Sequence, residues 1–124
     1  RSLRPDRIGH GVRAAEDVDL VSDLARRGTA LEICPTSNVA TGVVSSMSRH
    51  PIRKLLDAGV TVTSNSDDGA FFDTDVEREL RLASREFSLT TEEILRVTLN
   101  AGRAAFLPVA SRGRLERAVL ESAR

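Results

Sequence analysis

The 124-residue chain has no tryptophan and no tyrosine, four phenylalanines as its only aromatics, one cysteine and no block of like charge. Each shortage excludes something. So few aromatics make no platform on which bases could stack, and eighteen Lys and Arg against eighteen Asp and Glu leave no basic face to track phosphates. Nucleic acid binding is not expected. The longest uncharged run, residues 33–48, is broken by Pro35, Gly42 and several Ser and Thr, which makes it too short and too polar to cross a bilayer. With no signal-peptide pattern and no membrane partner, a cytoplasmic location is expected. The lone Cys34 cannot close an internal disulfide and reads as a small buried thiol, since no base stands near it to make it a nucleophile.

What the chain does have is alternation. Short apolar runs at residues 7–10, 30–34 and 60–63 each precede turn residues and then a helical pattern, the order expected of parallel strands joined by crossover helices. The first unit continues into a helix over about 15–27, with Val18, Val21, Leu24 and Ala25 on its apolar face and Gly28 as its stop. The second passes through a Ser/Thr-rich stretch, 39–49, long enough for a lid or a surface loop, into a helix opened by Pro51 and closed by Gly59, with Ile52, Leu55 and Leu56 inward. In the third, Thr74-Asp75-Val76-Glu77 matches a capping box, and Val76, Leu80, Ala83 and Phe87 form the stripe behind it. A further box, Thr90-Thr91-Glu92-Glu93, opens another helix, and a short charged helix is expected over 112–122.

The strand ends carry the polar residues. Ser64-Asn65-Ser66-Asp67-Asp68-Gly69 sets two carboxylates where an apolar run gives way to a turn, which suits a metal or substrate site, although such a pair taken alone is more often a helix cap or solvated turn. Gly9-His10-Gly11 places an imidazole between two residues that let the backbone turn sharply, at the end of the first strand. The middle strand stops at Pro35-Thr36-Ser37-Asn38. Three polar clusters on three strand ends read as one site at the mouth of a sheet.

Arg7-Ile8-Gly9-His10-Gly11, Leu31-Glu32-Ile33-Cys34-Pro35-Thr36-Ser37-Asn38, His50-Pro51, Leu55-Leu56-Asp57-Ala58-Gly59-Val60, Asn65-Ser66-Asp67-Asp68, Asn100 and Phe106-Leu107-Pro108 follow one another here. In that order and approximate spacing they resemble the adenosine deaminase family, the zinc-dependent deaminases of adenosine, adenine and AMP-type purines. The resemblance implies an α/β fold, the C-terminal portion of a (β/α)8 TIM barrel, with three parallel strands alternating with helices and terminal helices after them. It implies hydrolytic deamination of adenosine, or a related 6-aminopurine nucleoside, to the inosine-type product and ammonia. Zn2+ is the implied cofactor. Asp67 is then the metal ligand, Asp68 the group that hydrogen-bonds the purine's imidazole edge, and His10 the catalytic residue that orients and stabilises the zinc-bound hydroxide.

A closed barrel of this kind needs about 250 residues, so residues 1–124 are expected to be part of one deaminase domain, a fragment that begins at Arg1 and supplies part of a site. The family's remaining metal ligands, a His-x-His pair and a later His, and its proton-shuttling Glu have no counterpart here, where His10 and His50 are the only histidines. His50 is expected at the surface or in packing. The isolated chain is therefore expected to be inactive, and its open sheet edges to favour self-association. Gly69 stands where the family usually has Pro, an expected loosening of about 0.4–1 kcal/mol, and Ser64 replaces a more usual apolar residue and is expected to weaken packing. Two alternatives remain: a truncated, non-catalytic pseudoenzyme or half-barrel association module, and a flavodoxin-like magnesium-binding domain, whose acidic first strand end is missing here.

Overall fold

A computed structural model of the chain describes residues 3–123. Three parallel strands, β1 (Arg7–Gly9), β2 (Ala30–Ile33) and β3 (Val62–Ser64), lie side by side in the order β1-β2-β3. Register pairs Gly9 with Glu32, and Glu32 with Thr63, so the three carboxyl ends finish level on one rim. Side chains alternate across a strand: Leu31 and Ile33 enter the core with Val62, while Glu32 and Cys34 turn to the opposite face beside His10 and Asp67.

Helices cover the apolar face. α1 (Val18–Arg27) brings Val21 and Leu24, α3 (Ile52–Asp57) brings Ile52, Leu55 and Leu56, α5 (Val76–Glu86) brings Ala83, and α6 (Thr91–Ala104) brings Val97 into one apolar cluster with the strands. Removing these side chains from water is the main force holding helices to sheet. Asn100 on α6 adds a side-chain hydrogen bond of 3.0 Å to the Val62 carbonyl. Arg53 ties three elements together, donating to Glu93 and to the carbonyls of Phe87 and Ser88. At the far end of the sheet the Arg7 guanidinium stacks 3.7 Å from the Phe106 ring centre.

Several boundaries differ from the sequence expectations, each for a local reason. The first helix begins at Val18, because Asp17 adopts extended backbone and its carboxylate caps the Leu20 N–H at 2.9 Å; the preceding Val12–Glu16 is a separate 3-10 turn and Val18 is exposed. The Ser/Thr-rich stretch is preceded by and begins within a helix, α2 (Pro35–Ala40), with Pro35 preset at the first helical position, and Met47–Arg49 forms another 3-10 turn. β3 runs later than 60–63, since the Val60 N–H still bonds the Leu55 carbonyl at 3.0 Å as α3 unwinds. A short helix, α4 (Gly69–Phe72), follows Asp68. α5 is capped by Asp75 rather than Thr74; Thr74 donates instead to the buried Glu79 at 2.7 Å. The second capping box is present, with Thr90 and Glu93 bonding reciprocally at 3.2 and 2.9 Å. The last helix, α7 (Val109–Ser122), starts ahead of the expected 112, directly after Pro108. Among the described residues no helix is long and apolar enough to cross a membrane.

Candidate active site

β1 delivers His10 to the rim. Its N–H donates to the Glu32 carbonyl at 3.0 Å, the last ladder bond of the strand, and its φ of 55° turns the chain abruptly out of the sheet. Gly11 follows at φ 65°, where a Cβ would lie 2.7 Å from Leu31 Cδ2, so this second left-handed step favours glycine. β3 delivers Asp67 in the same way, at φ 57°, after Asn65 anchors the strand end through its N–H to the Ile33 carbonyl (2.9 Å) and its amide to Thr63 Oγ1 (2.9 Å). His10 Nε2 and Asp67 Oδ2 are 3.7 Å apart, with both side chains about two-fifths exposed, at 43% and 39%.

α2 fills the space behind them. Ser37 and Asn38 are buried neighbours on this helix, and each holds one of the two rim residues: Ser37 Oγ donates to Asp67 Oδ2 at 2.7 Å, and Asn38 Nδ2 stands 3.0 Å from His10 Nδ1. Glu79, fully buried, accepts the Thr36 N–H at 3.2 Å and so fixes the start of α2. His50 is packed rather than at the surface. Its ring lies 5.2 Å from that of Phe87 and its Nε2 is 3.2 Å from Asn38 Oδ1, and burial lowers its pKa from 6.5 to about 4, keeping it neutral.

The Asp-Asp pair divides. Asp67 faces His10, whereas Asp68 caps α4 by accepting the Phe71 N–H at 2.9 Å, which leaves its second carboxylate oxygen for other partners. Gly69 lies in a closed turn: a Cβ there would meet the Thr74 carbonyl oxygen at 2.5 Å, and the Thr74 N–H bonds the Gly69 carbonyl at 3.0 Å. Ser64 is buried and its hydroxyl has no hydrogen-bond partner among the described residues.

A cation could be held here by few groups. His10, Cys34 and Asp67 offer ligand atoms within 4.8 Å of one another. Cys34 is the poor member: burial, with the Asp67, Glu79 and Glu32 carboxylates adding to it, pushes its pKa up to about 12, and its thiol donates to the Glu32 carbonyl at 3.5 Å. With no cation beside it the thiol stays protonated, which disfavours it as a nucleophile. His10 is held through Nδ1, and the Asp67 carboxylate keeps lone pairs beyond the one Ser37 uses. A carboxylate oriented by a hydroxyl and open to the rim fits a zinc ligand, and among the described residues only His10 and Cys34 stand close enough to join it.

His10, Asp67 and Asp68 stand out in the sequence, whereas nothing there assigns a role to Ser37, Asn38 or His50. The one signal is Thr36-Ser37-Asn38 directly after a strand-ending Pro35, a polar triplet placed where a barrel strand meets its helix.

A family model described as adenosine deaminase matches residues 1–122. An adenine deaminase of Rhizobium rhizogenes is 54% identical over 113 residues, which are 91% of this chain and 35% of that protein. The crystal structure of an adenine deaminase from Arthrobacter aurescens superposes with a TM-score of 0.89 at 32% identity, covering 94% of this chain and 36% of that one. An amidohydrolase from Burkholderia ambifaria, solved with bound Zn, shares the fold with a TM-score of 0.85 at 22% identity, over 95% of this chain and 33% of that one. The chain thus spans about a third of the length of the proteins it matches. Its strands and helices are laid out as one part of their TIM barrels.

Proposed function

Since the chain belongs to the adenosine deaminase family, we propose that it forms the C-terminal part of a zinc-dependent barrel that hydrolytically deaminates adenine or a close 6-aminopurine. Water supplies the oxygen of the new C6 carbonyl, the C6–N6 bond breaks, and ammonia leaves. Free adenine ranks ahead of adenosine as the substrate, because the Rhizobium and Arthrobacter relatives are adenine deaminases. The observation that carries the proposal is the juxtaposition of Asp67 and His10 at 3.7 Å on a level rim, each gripped from behind by α2.

In this reading Asp67 would be a ligand to the metal, with Ser37 orienting its carboxylate. Bound zinc supplies a water acidified toward neutral pH. His10 presents Nε2 to the reacting centre as a hydrogen-bonding and electrostatic group. Asp68, its backbone fixed by the α4 cap, hydrogen-bonds the imidazole edge of the purine. The proton-shuttling carboxylate and the other ligands come from the rest of the barrel, so the 124 residues alone neither hold zinc tightly nor turn over substrate.

The test is ammonia release by the complete protein from adenine, adenosine and AMP, alongside its zinc content. One zinc per chain with turnover of a 6-aminopurine, both lost in Asp67→Asn, is the expected result. A protein that binds zinc and deaminates none of the three sinks the proposal. The association-module reading is favoured by one observation, the single imidazole available at the rim among the described residues. It predicts no turnover in any assembly.

A further inference from the structure

We infer that Asn38 and His50 are positioning residues that hold the His10 imidazole in a single tautomer, with its proton on Nε2. One group in this cluster has a fixed polarity. The backbone N–H of Ile52 points at His50 Nδ1 at 3.3 Å, so that nitrogen must carry the lone pair. A neutral His50 then has its proton on Nε2, and it donates to Asn38 Oδ1 at 3.2 Å. The Asn38 amide is thereby turned so that Nδ2 donates to His10 Nδ1 at 3.0 Å, and His10 is left with its proton on Nε2, the nitrogen that faces Asp67 at 3.7 Å.

The reverse arrangement fails on proton count. With the Asn38 amide turned round, His50 would have to accept at both nitrogens and carry no proton at all, an imidazolate in an apolar pocket. A doubly protonated His50 would set its Nδ1–H against the Ile52 N–H, and its burial against the Phe87 ring keeps it neutral. Asn38 and His50 are both buried, so water does not compete for these hydrogen bonds. The rest of α2 is immobilised at its start by Glu79, which keeps the Asn38 amide on station. A histidine whose remote nitrogen is tied to a fixed partner has its tautomer and ring angle set together, and this chain does so through a three-residue relay rather than a carboxylate. A carboxylate would impose the opposite tautomer.

This deepens the deaminase reading and rests on it for its kinetic arm alone. In the full-length protein labelled with 15N-histidine, imidazole nitrogens assigned by their loss in His10→Gln and His50→Gln should show both histidines as the Nε2–H tautomer. Asn38→Asp, which can only accept, should move the His10 proton to Nδ1 and leave His50 unchanged. His50→Gln, which still donates to Asn38, should keep His10 as it is, whereas His50→Phe should yield a mixture. In turnover, Asn38→Asp should lower kcat about 10²-fold with KM changed less than about threefold and zinc retained, and His50→Gln should stay within about fivefold of wild type.

An Nδ1–H tautomer at either histidine of the unsubstituted protein overturns the relay, even if Asn38→Asp and His50→Phe unfold. An unchanged His10 tautomer in folded Asn38→Asp does the same. If the tautomers are as stated but no 6-aminopurine is deaminated, the relay stands and the functional reading falls. An active deaminase with His10 protonated on Nδ1 has the opposite meaning: the functional reading stands and the relay falls.

Discussion

Ser37 donates a 2.7 Å hydrogen bond to the carboxylate of Asp67, thirty residues away in sequence, and does so from a helix whose next residue contacts His10. One helical turn therefore sets the aim of both rim residues. If Asp67 binds zinc, Ser37→Ala frees its carboxylate to rotate, and zinc affinity should fall about 10- to 100-fold in a chelator competition, with activity recovered by added zinc. Unchanged affinity would show that Asp67 needs no such support.

The two neighbouring carboxylates should separate cleanly in the complete protein. Asp67→Asn removes an anionic ligand, so zinc occupancy and activity should fall together. Asp68→Asn keeps the α4 cap, because Asn caps as well as Asp, and should keep zinc while kcat/KM drops roughly 10²–10⁴-fold. Asp68→Ala should add a stability loss of about 1 kcal/mol from the lost cap. Zinc lost in Asp68→Asn and kept in Asp67→Asn would reverse the roles.

Stability should respond to two residues next to the site in opposite directions. Gly69→Ala drives a Cβ toward the Thr74 carbonyl, 2.5 Å away, and should cost about 1–3 kcal/mol in a denaturant titration. Ser64→Ala removes a buried hydroxyl that has no partner among the described residues and should raise the midpoint. A tolerated Gly69→Ala would mean that the 69–74 segment yields easily.

Acid should weaken the fold through His50. Its folded pKa, about 4, lies below the ordinary 6.5 because burial opposes the charge, so on acidification the unfolded chain takes up the proton first. Its contribution is complete above about pH 6.5 and declines between pH 6.5 and 4, with a slope approaching about 1.4 kcal/mol per pH unit. Glu93, held down to about 2 mainly by Arg53, contributes above pH 4.5 and is lost only below it. Unfolding measured from pH 7.5 to 4.5 should therefore be flatter in His50→Gln. Parallel profiles would remove His50 as the cause.

β1 and β3 each pair on one side only among the described residues, which leaves two rows of backbone groups open to another strand. The isolated chain should associate with rising concentration in sedimentation experiments. A monomer throughout would show that the edges are blunted.

The strand order and the rim positions of His10 and Asp67 are legible in the sequence because each apolar run ends at polar turn residues, glycine around an imidazole in one case and paired Asp in another. α2 is not legible. Pro35, Thr36, Ser37 and Asn38 have low helix preference, and the helix they form is held by the distant Glu79 and by buried hydrogen bonds that no local pattern reports. Asp68 reads both as a cap and as a site residue, and the structure gives one of its oxygens to the cap. The burial of His50 escapes the sequence because its partner, Asn38, lies in the helix that the sequence hides.

The left-handed backbone of His10 and Asp67 has a consequence for how this segment can change. Residues with a Cβ are held in that region at a cost of about 1–2 kcal/mol each, and glycine would sit there without it. Glycine at either bend would relieve that cost and leave a buried partner unmatched, the Asn38 amide behind His10 or the Ser37 hydroxyl behind Asp67, at about 1–3 kcal/mol for each stranded group. The imidazole and the carboxylate stay at two bends where glycine is the easier residue because the helix behind them is built to receive their side chains.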